Sequence, residues 1–183
     1  MRQDNQMNAQ LMTYQNSRYT NERVSKQTLI IDHVIGTGTT FDISLYEPLR
    51  IDSLSEIYLD SFITNQSKPS DDDGDGKVDS AHIGYNACFV VKINEFDIKS
   101  VSNSNTIINA SNNSLSGSLI IPNEETSAQG ITLHKNKKMN YVSTINPCNL
   151  RKITGSITNL KGESMFSNTN SRFILEFIIV SKD

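Results

Sequence analysis

The sequence of 183 residues predicts an all-β protein, organised as a sandwich or a barrel. From Gln27 onwards its apolar runs have the length of strands and are rich in β-branched and aromatic residues. Clusters of Gly, Pro, Asn and Ser separate these runs, as turns separate strands. After residue 27 no segment has the length and the periodicity of an amphipathic helix. Regularly spaced strands with such turns are typical of sandwiches and barrels.

The most apolar run covers residues 172–180, RFILEFIIV, and only Glu176 interrupts it. Side chains alternate along a strand, so the run has two faces. One face carries Phe173, Leu175, Phe177 and Ile179, and the other carries Ile174, Glu176, Ile178 and Val180. Both faces are largely apolar, which predicts a central strand covered on both sides.

The other strands follow from the same pattern of apolar runs and turn residues. In chain order they are predicted at residues 28–35, 40–46, 57–64, 87–93 with a continuation at 96–101 after a short break, 106–110, 119–121, 131–133, 141–145 and 153–157. Pro48 lacks the amide hydrogen that a sheet needs, so it predicts a strand end or a bend. We expect roughly eight to ten strands in all.

Residues 1–26 are polar and rich in Asn and Gln. The scattered apolar side chains of this segment are Met7, Leu11, Met12 and Tyr14. Such a segment buries too little apolar surface to offset its ordering entropy. We therefore predict an extended or disordered N-terminal arm at residues 1–26 and one β domain at residues 27–183. The arm either orders against a neighbouring subunit or is a disordered tail.

The net charge of -3 and the isoelectric point near 5.6 argue against a protein that grips nucleic acid, because neutralising phosphates takes a clustered cationic surface. The basic cluster at residues 134–138, HKNKK, is expected to be a solvated turn between strands. Direct, sequence-specific binding of nucleic acid is therefore not expected.

No window of the sequence approaches the apolar length needed to cross a bilayer, so no transmembrane segment is expected. Residues 1–15 lack the apolar core of a signal peptide, which predicts synthesis in a reducing cytosol. Cys88 and Cys148 are then expected to be free thiols. No CxxC pair or His/Cys cluster indicates zinc.

The sharpest local motif is the acidic run at residues 71–79, DDDGDGKVD. An EF-hand-type loop supplies oxygen ligands to calcium at alternate positions, one of them a backbone carbonyl, and needs a Gly for its turn. Gly76 has the position of that Gly, while His82 stands where a bidentate Glu belongs. The candidate Ca²⁺ ligands are Asp71, Asp73, Asp75, Asp79 and the backbone carbonyl of Lys77. The run predicts a calcium loop completed by a carboxylate from elsewhere, or else a solvated hairpin tip.

No catalytic constellation stands out. His33 follows Asp32 in an apolar run, where a structural imidazole is expected more than a catalytic base. The sequence has no GxSxG elbow and no Gly-rich phosphate loop that opens a helix. We therefore predict that the protein is not an enzyme.

Six segments of the sequence follow one another in a familiar order. They are TTFDISLYEPLRIDSLSEIYLDSFIT (39–64), INEFDIKSVSN (93–103), IPNE (121–124), HKNKKMNYVSTINP (134–147), ITGSIT (153–158) and RFILEFIIV (172–180). In this order they resemble the penton proteins of large icosahedral double-stranded DNA viruses. The resemblance spans residues 27–183 and lies in the succession of strands, while the acidic loop and the polar arm depart from it.

The resemblance implies a single jelly roll of about eight antiparallel strands. It also implies a structural role without a substrate: a homopentamer that plugs the fivefold opening of a capsid and bonds to neighbouring major and minor capsid proteins. Such a protein would be made in the host cytoplasm and located at the capsid vertex of the virion.

The alternative is a calcium-dependent carbohydrate-binding or adhesion module, because β-sandwiches often carry calcium and sugars on their loops. The absence of Trp and of a signal peptide argues against it. Four tyrosines are the candidates for a stacking platform: Tyr46, Tyr58, Tyr85 and Tyr141. An enzyme on a β-sandwich is the third possibility, and no acid/base pair or nucleophile supports it.

Overall fold

A computed structural model of the protein describes residues 25–69, 84–101, 105–108, 111–124 and 131–181. Within these ranges the chain forms ten β-strands and no helix. The strands are β1 (Lys26–Val34), β2 (Thr40–Ile51), β3 (Ser55–Asn65), β4 (Cys88–Ile93), β5 (Asn105–Ile108), β6 (Ser111–Ser114), β7 (Leu119–Pro122), β8 (Ile131–Ile145), β9 (Cys148–Thr158) and β10 (Arg172–Ser181).

Eight of the strands form two four-stranded sheets, in the orders β1-β10-β3-β8 (sheet A) and β2-β9-β4-β7 (sheet B). All pairs are antiparallel. The first strand pairs with the last, β2 with β9, β3 with β8, and β4 with β7. The hairpin of β5 and β6 lies between β4 and β7 in the chain. This nested pairing over two sheets is the topology of a jelly roll, so the all-β class and the jelly-roll fold are confirmed.

The inner faces of the two sheets form the hydrophobic core. β10 contributes Phe173, Leu175, Phe177 and Ile179, all of them buried. Aromatic pairs join the sheets: Phe41 meets Phe173 with 5.1 Å between ring centroids, and Phe62 meets Phe89 at 5.0 Å. Each fully buried side chain of this size contributes about 1.5–3 kcal/mol relative to an exposed one.

A β-bulge in β3 keeps the core face continuous. The register of β3 against β10 skips Asp60. This extra residue reverses the alternation of side chains, so Leu59 before it and Phe62 after it both point inwards.

The central position of β10 is confirmed, because the strand lies between β1 and β3. The expectation that both of its faces are covered was wrong. Side chains on the second face, from Ile174 to Val180, are only partly buried, and no described element lies over them. A four-stranded sheet in a two-layer sandwich has one inner and one outer face, so only one face of β10 reaches the core.

Two further expectations were wrong. Residues 134–138 are not a turn: they lie within β8, which joins the two predicted strands into one. The register of β8 against β3 jumps from Asn140 to Lys135, so residues 136–139 have no partner in β3 and form an irregular bulge of several residues. Residues 96–101 are not a strand. Phe96 and Ile98 are buried there by tight turns, in which the amide of Phe96 donates to the carbonyl of Ile93 (3.2 Å).

Pro48 lies inside β2, and the predicted interruption of pairing occurs around it. The ladder between β2 and β9 breaks after Ser44 and resumes at Leu49. Four residues of β2 therefore face a single residue of β9, Arg151, and that part of β2 bends away from the ladder.

Candidate interaction surfaces

The outer face of sheet A is half apolar. On β1, Ile30 and Val34 are 60% and 55% exposed. Ile174 of β10 lies in register with Ile63 of β3, which in turn lies opposite Leu133 of β8. These side chains form a stripe across three strands. An exposed apolar stripe on a sheet is typical of a surface that meets another molecule.

Polar contacts alternate with this apolar stripe. Arg172 makes a bidentate ion pair with Asp32, and the hydrogen bonds from the Arg172 guanidinium hold the pKa of the Asp32 carboxyl below its usual value. The hydroxyl of Ser61 donates to Glu176 (3.1 Å). The hydroxyl of Tyr58 donates to Glu56 (2.6 Å), and this bond raises the pKa of Tyr58 because the bond is lost when the phenol ionises.

The outer face of sheet B has different chemistry. Lys152 of β9 pairs with Asp42 of β2 (2.8 Å), and both side chains are more than half exposed. Next to them the carboxylate of Glu95 accepts two hydrogen bonds from Thr154, one from its amide (2.9 Å) and one from its hydroxyl (2.8 Å). The two outer faces of the sandwich therefore differ in their residues: that of sheet A carries the apolar stripe, and that of sheet B carries the pair of Asp42 and Lys152 together with the exposed Ile120 of β7.

A groove of about 510 Å³ lies between the free edges of the two sheets. We call it the edge groove. One wall is residues 27–30 of β1, and the other is residues 45–50 of β2, with Asp52 at one end. Tyr46 projects from the second wall and is fully exposed, whereas Leu29 in the first wall is buried. The side-chain amide of Gln27 donates to the carbonyl of Arg50 (3.2 Å) and joins the two walls.

The candidate calcium ligands Asp71, Asp73, Asp75, Lys77 and Asp79 lie outside the described residues, as does the N-terminal segment 1–24. Within the described ranges, no group of three or more His, Cys, Asp or Glu side chains is placed to hold a metal ion. No helix able to span a membrane occurs in that part of the chain.

His33 packs its imidazole against the ring of Phe173, with 5.9 Å between centroids and an angle of 63° between planes. The neighbouring carboxylate of Asp32 is bound to Arg172. His33 therefore makes a packing contact with Phe173, and the adjacent Asp32 carboxylate forms an ion pair with Arg172.

The four candidate tyrosines do not form one platform. Tyr58 and Tyr141 meet edge to face on the outer face of sheet A, with 5.9 Å between ring centroids. Tyr46 lies at the edge groove. Tyr85 makes a cation–π contact with Lys161, whose ammonium lies 3.4 Å from the ring centroid. A sugar-stacking surface built from all four is therefore not assembled within one protomer.

Cys88 and Cys148 are both free and partly buried, at the start of β4 and of β9. Burial raises the pKa of both thiols, because the thiolate is the form that desolvation penalises.

Sequence reasoning missed the edge groove. The available signal was Pro48, which predicted a break in pairing without indicating that β1 would lie beside it. The second face of residues 172–180 is apolar in the sequence, which predicts burial, whereas the structure places this face on the outside of sheet A.

Comparison with known proteins adds one finding. No protein-family model matches the sequence, and no curated protein matches it. Among solved structures, the crystal structure of the selenomethionine-labelled mavirus penton protein is similar, with a TM-score of 0.53. The sequences are 10% identical, and the alignment covers 86% of this chain and 100% of the other. The likeness thus extends over a whole domain, and it concerns the fold.

Proposed function

We propose that this protein is a structural capsid protein that forms the pentameric vertex of an icosahedral double-stranded DNA virus. The observation that carries the proposal is the nested jelly-roll topology, which aligns with the full length of a viral penton protein. Fold alone does not decide function, so the surfaces of the molecule must also suit the role.

A closed ring of identical subunits uses heterologous contacts, in which each subunit presents two different surfaces. The sandwich offers such a pair. The outer face of sheet A carries exposed Ile30 and Val34, and the outer face of sheet B carries the ion pair of Asp42 and Lys152. Around a fivefold axis, one surface of each subunit contacts a different surface of its neighbour, and this contact has no twofold symmetry.

The protein would then act mechanically. Five copies close the opening at the vertex, and the exposed outer loops and edges bond to neighbouring major and minor capsid proteins. Its site of action is the virion, after synthesis in the host cytoplasm. No substrate and no sequence-specific contact with nucleic acid enters this role.

Native mass spectrometry of the purified full-length chain tests the proposal. We expect a complex with five times the mass of the 20.4 kDa chain, and two-dimensional class averages with fivefold symmetry in electron microscopy. A closed ring of another order, or a monomer at every concentration and in the presence of its capsid partners, would overturn it.

A calcium-dependent carbohydrate-binding or adhesion module remains the second candidate, favoured by the acidic run at residues 71–79. A glycan array read with calcium and with a chelator distinguishes it. Binding that depends on calcium would favour this candidate, and the penton proposal expects no such binding.

A further inference from the structure

The edge groove has the features of a binding site for an extended peptide. Its walls are two free strand edges, residues 27–30 of β1 from sheet A and residues 45–50 of β2 from sheet B. A peptide that adds to a sheet edge gains affinity from main-chain hydrogen bonds and specificity from pockets for its alternate side chains.

The free hydrogen-bonding groups of β1 follow from its register. In an antiparallel pair, residues bonded to the partner strand alternate with residues whose groups point the other way. Ser181 donates its amide to Ser25 (3.0 Å), and Ile35 donates its amide to Ser171 (2.9 Å), so the odd-numbered residues of β1 bond to β10. The amides and carbonyls of Thr28 and Ile30 therefore point into the edge groove.

The opposite wall is also a free edge, because β2 is the outermost strand of sheet B, and it is bent. β2 leaves its ladder with β9 between Ser44 and Leu49. The peptide groups at residues 45–48 lie in this break, and Pro48 has no amide hydrogen to contribute. This wall is thus a bent segment of strand. A bound peptide would contact its side chains, above all Tyr46, and would form few main-chain hydrogen bonds with it.

The chain itself supplies a candidate occupant. Residues 1–24 lead into Ser25, which directly precedes the first residue of β1 and lies near Gln27 and Asp52 of the groove. In extended form these residues span roughly 80 Å, several times the length of the groove wall. Leu11, Met12 and Tyr14 lie within four positions and are the apolar side chains that this segment would bring to a strand beside β1.

The occupant is best supplied by another copy. A strand that folds back on β1 of its own subunit needs a tight reversal next to Ser25, and such turns favour Gly or Asn-Gly. Residues 1–24 contain no Gly and no Pro. A segment that continues outward without reversal reaches a neighbour instead, and exchange of an identical element between protomers is a low-cost way to join subunits.

We propose that the edge groove binds the N-terminal segment of a neighbouring copy, with part of residues 1–24 added to sheet A as a strand beside β1. The inference rests on the proposed function in one respect: the ring supplies the neighbour.

Disulfide trapping tests the assignment. In a background with Cys88→Ser and Cys148→Ser, Tyr14→Cys is combined with Tyr46→Cys and the native oligomer is oxidised. We expect a ladder of covalent multimers on a non-reducing gel. The control combines Tyr14→Cys with Tyr141→Cys, which replaces another exposed tyrosine, on the opposite edge strand of sheet A, and gives no ladder.

A cross-link confined to the monomer would place the segment on its own subunit and overturn the proposal. So would the absence of any cross-link, which would leave the groove to another partner.

Hydrogen exchange provides a second readout that needs no cysteine. Deletion of residues 1–24 should remove most of the protection at the amides of Thr28 and Ile30 and leave that of Leu29 and Ile31 intact. Equal exchange at Thr28 and Ile30 with and without the segment would also overturn the proposal. The native mass reports on the pentamer separately, so a pentamer without cross-links would refute this inference alone.

Discussion

Asp32 and Arg172 illustrate how single residues act on the outer face of sheet A. They lie on neighbouring strands, diagonally across the pairing of β1 with β10. The carboxylate accepts two hydrogen bonds from the guanidinium, which favours its charged form. Both side chains remain partly open to solvent, so the pair orients the two strands more than it stabilises the fold.

We predict that the pKa of Asp32 lies below its ordinary value of 3.8 and returns towards it in Arg172→Ala. A carboxyl whose folded pKa is lowered contributes stability above its unfolded pKa, and this contribution is lost as the pH falls through the folded pKa. Titration of Asp32 by NMR measures the shift directly. Arg50→Ala removes an arginine that pairs with Asp52 elsewhere and is the control. The same Asp32 pKa in Arg172→Ala and the parent would contradict the prediction.

The acidic run at residues 71–79 yields a prediction at the same scale. If Asp71, Asp73, Asp75, Lys77 and Asp79 supply oxygens to Ca²⁺, calorimetry will detect binding to the parent chain and weakened binding to Asp73→Ala. Asp97→Ala, an exposed carboxylate outside the run, should bind like the parent. Absence of heat for the parent at millimolar calcium would exclude the site.

Among the elements, β10 divides its residues between two environments. Phe177 is fully buried against Phe96, with 5.2 Å between ring centroids, while Ile178 lies on the outer face and is partly buried. The two positions are adjacent in the chain and differ in what covers them.

We predict that Phe177→Ala lowers the free energy of unfolding by about 3–5 kcal/mol, because it leaves a cavity in the core. Ile178→Ala should cost about 1 kcal/mol, since the side chain loses only part of its exposure on folding. Urea denaturation of both variants measures the difference. Equal losses would mean that the outer face of β10 is covered in the folded protomer.

Close contacts with other strands explain why β9 carries a glycine, Gly155, between the buried Ile153 and Ile157. A Cβ at this position would lie 2.1 Å from the carbonyl oxygen of Lys92 and 2.6 Å from the ring of Phe41. The neighbouring backbone of β4 therefore excludes any side chain here.

Gly155→Ala should accordingly destabilise the protein by about 3 kcal/mol or more, because backbone cannot move aside as a side chain can. Gly38→Ala is the control, since its Cβ would meet one carbonyl oxygen at 3.2 Å. We expect that variant to lose less than about 1 kcal/mol. Thermal denaturation that ranks the two variants equally would contradict the explanation.

At the scale of the whole molecule, the nested pairing closes the sandwich within residues 25–181, because the outermost pair joins β1 to β10. The strand pair with the greatest separation in sequence thus lies at one edge of sheet A. Residues 1–24 precede this closed unit.

We predict that deletion of residues 1–24 leaves a folded sandwich and weakens assembly. Circular dichroism and a cooperative unfolding transition report on the fold, and native mass reports on the assembly. The deletion stops before Lys26 because that residue pairs with Val180. A shortened chain that unfolds without cooperativity would show that the segment belongs to the core.

Much of the fold was predictable because the pattern is local. Alternation at residues 172–180 separated the two faces of β10 without telling which one is the core face, and Pro48 marked the break in the ladder of β2. The sequence did not reveal that residues 134–138 continue a strand, since a bulge that absorbs extra residues depends on the partner strand. It did not reveal the edge groove either, because its walls come from strands of two different sheets.

The sequence by itself determined the all-β class and the positions of most strands, because these properties depend on residues close together in the chain. Only the tertiary structure decided that the second face of β10 points outwards and that β1 and β2 leave free edges side by side. The physical reason is that a sheet face is buried only where another layer of the fold packs against it. A two-layer sandwich buries one face of each sheet, and which apolar face is left outside depends on pairings between distant strands.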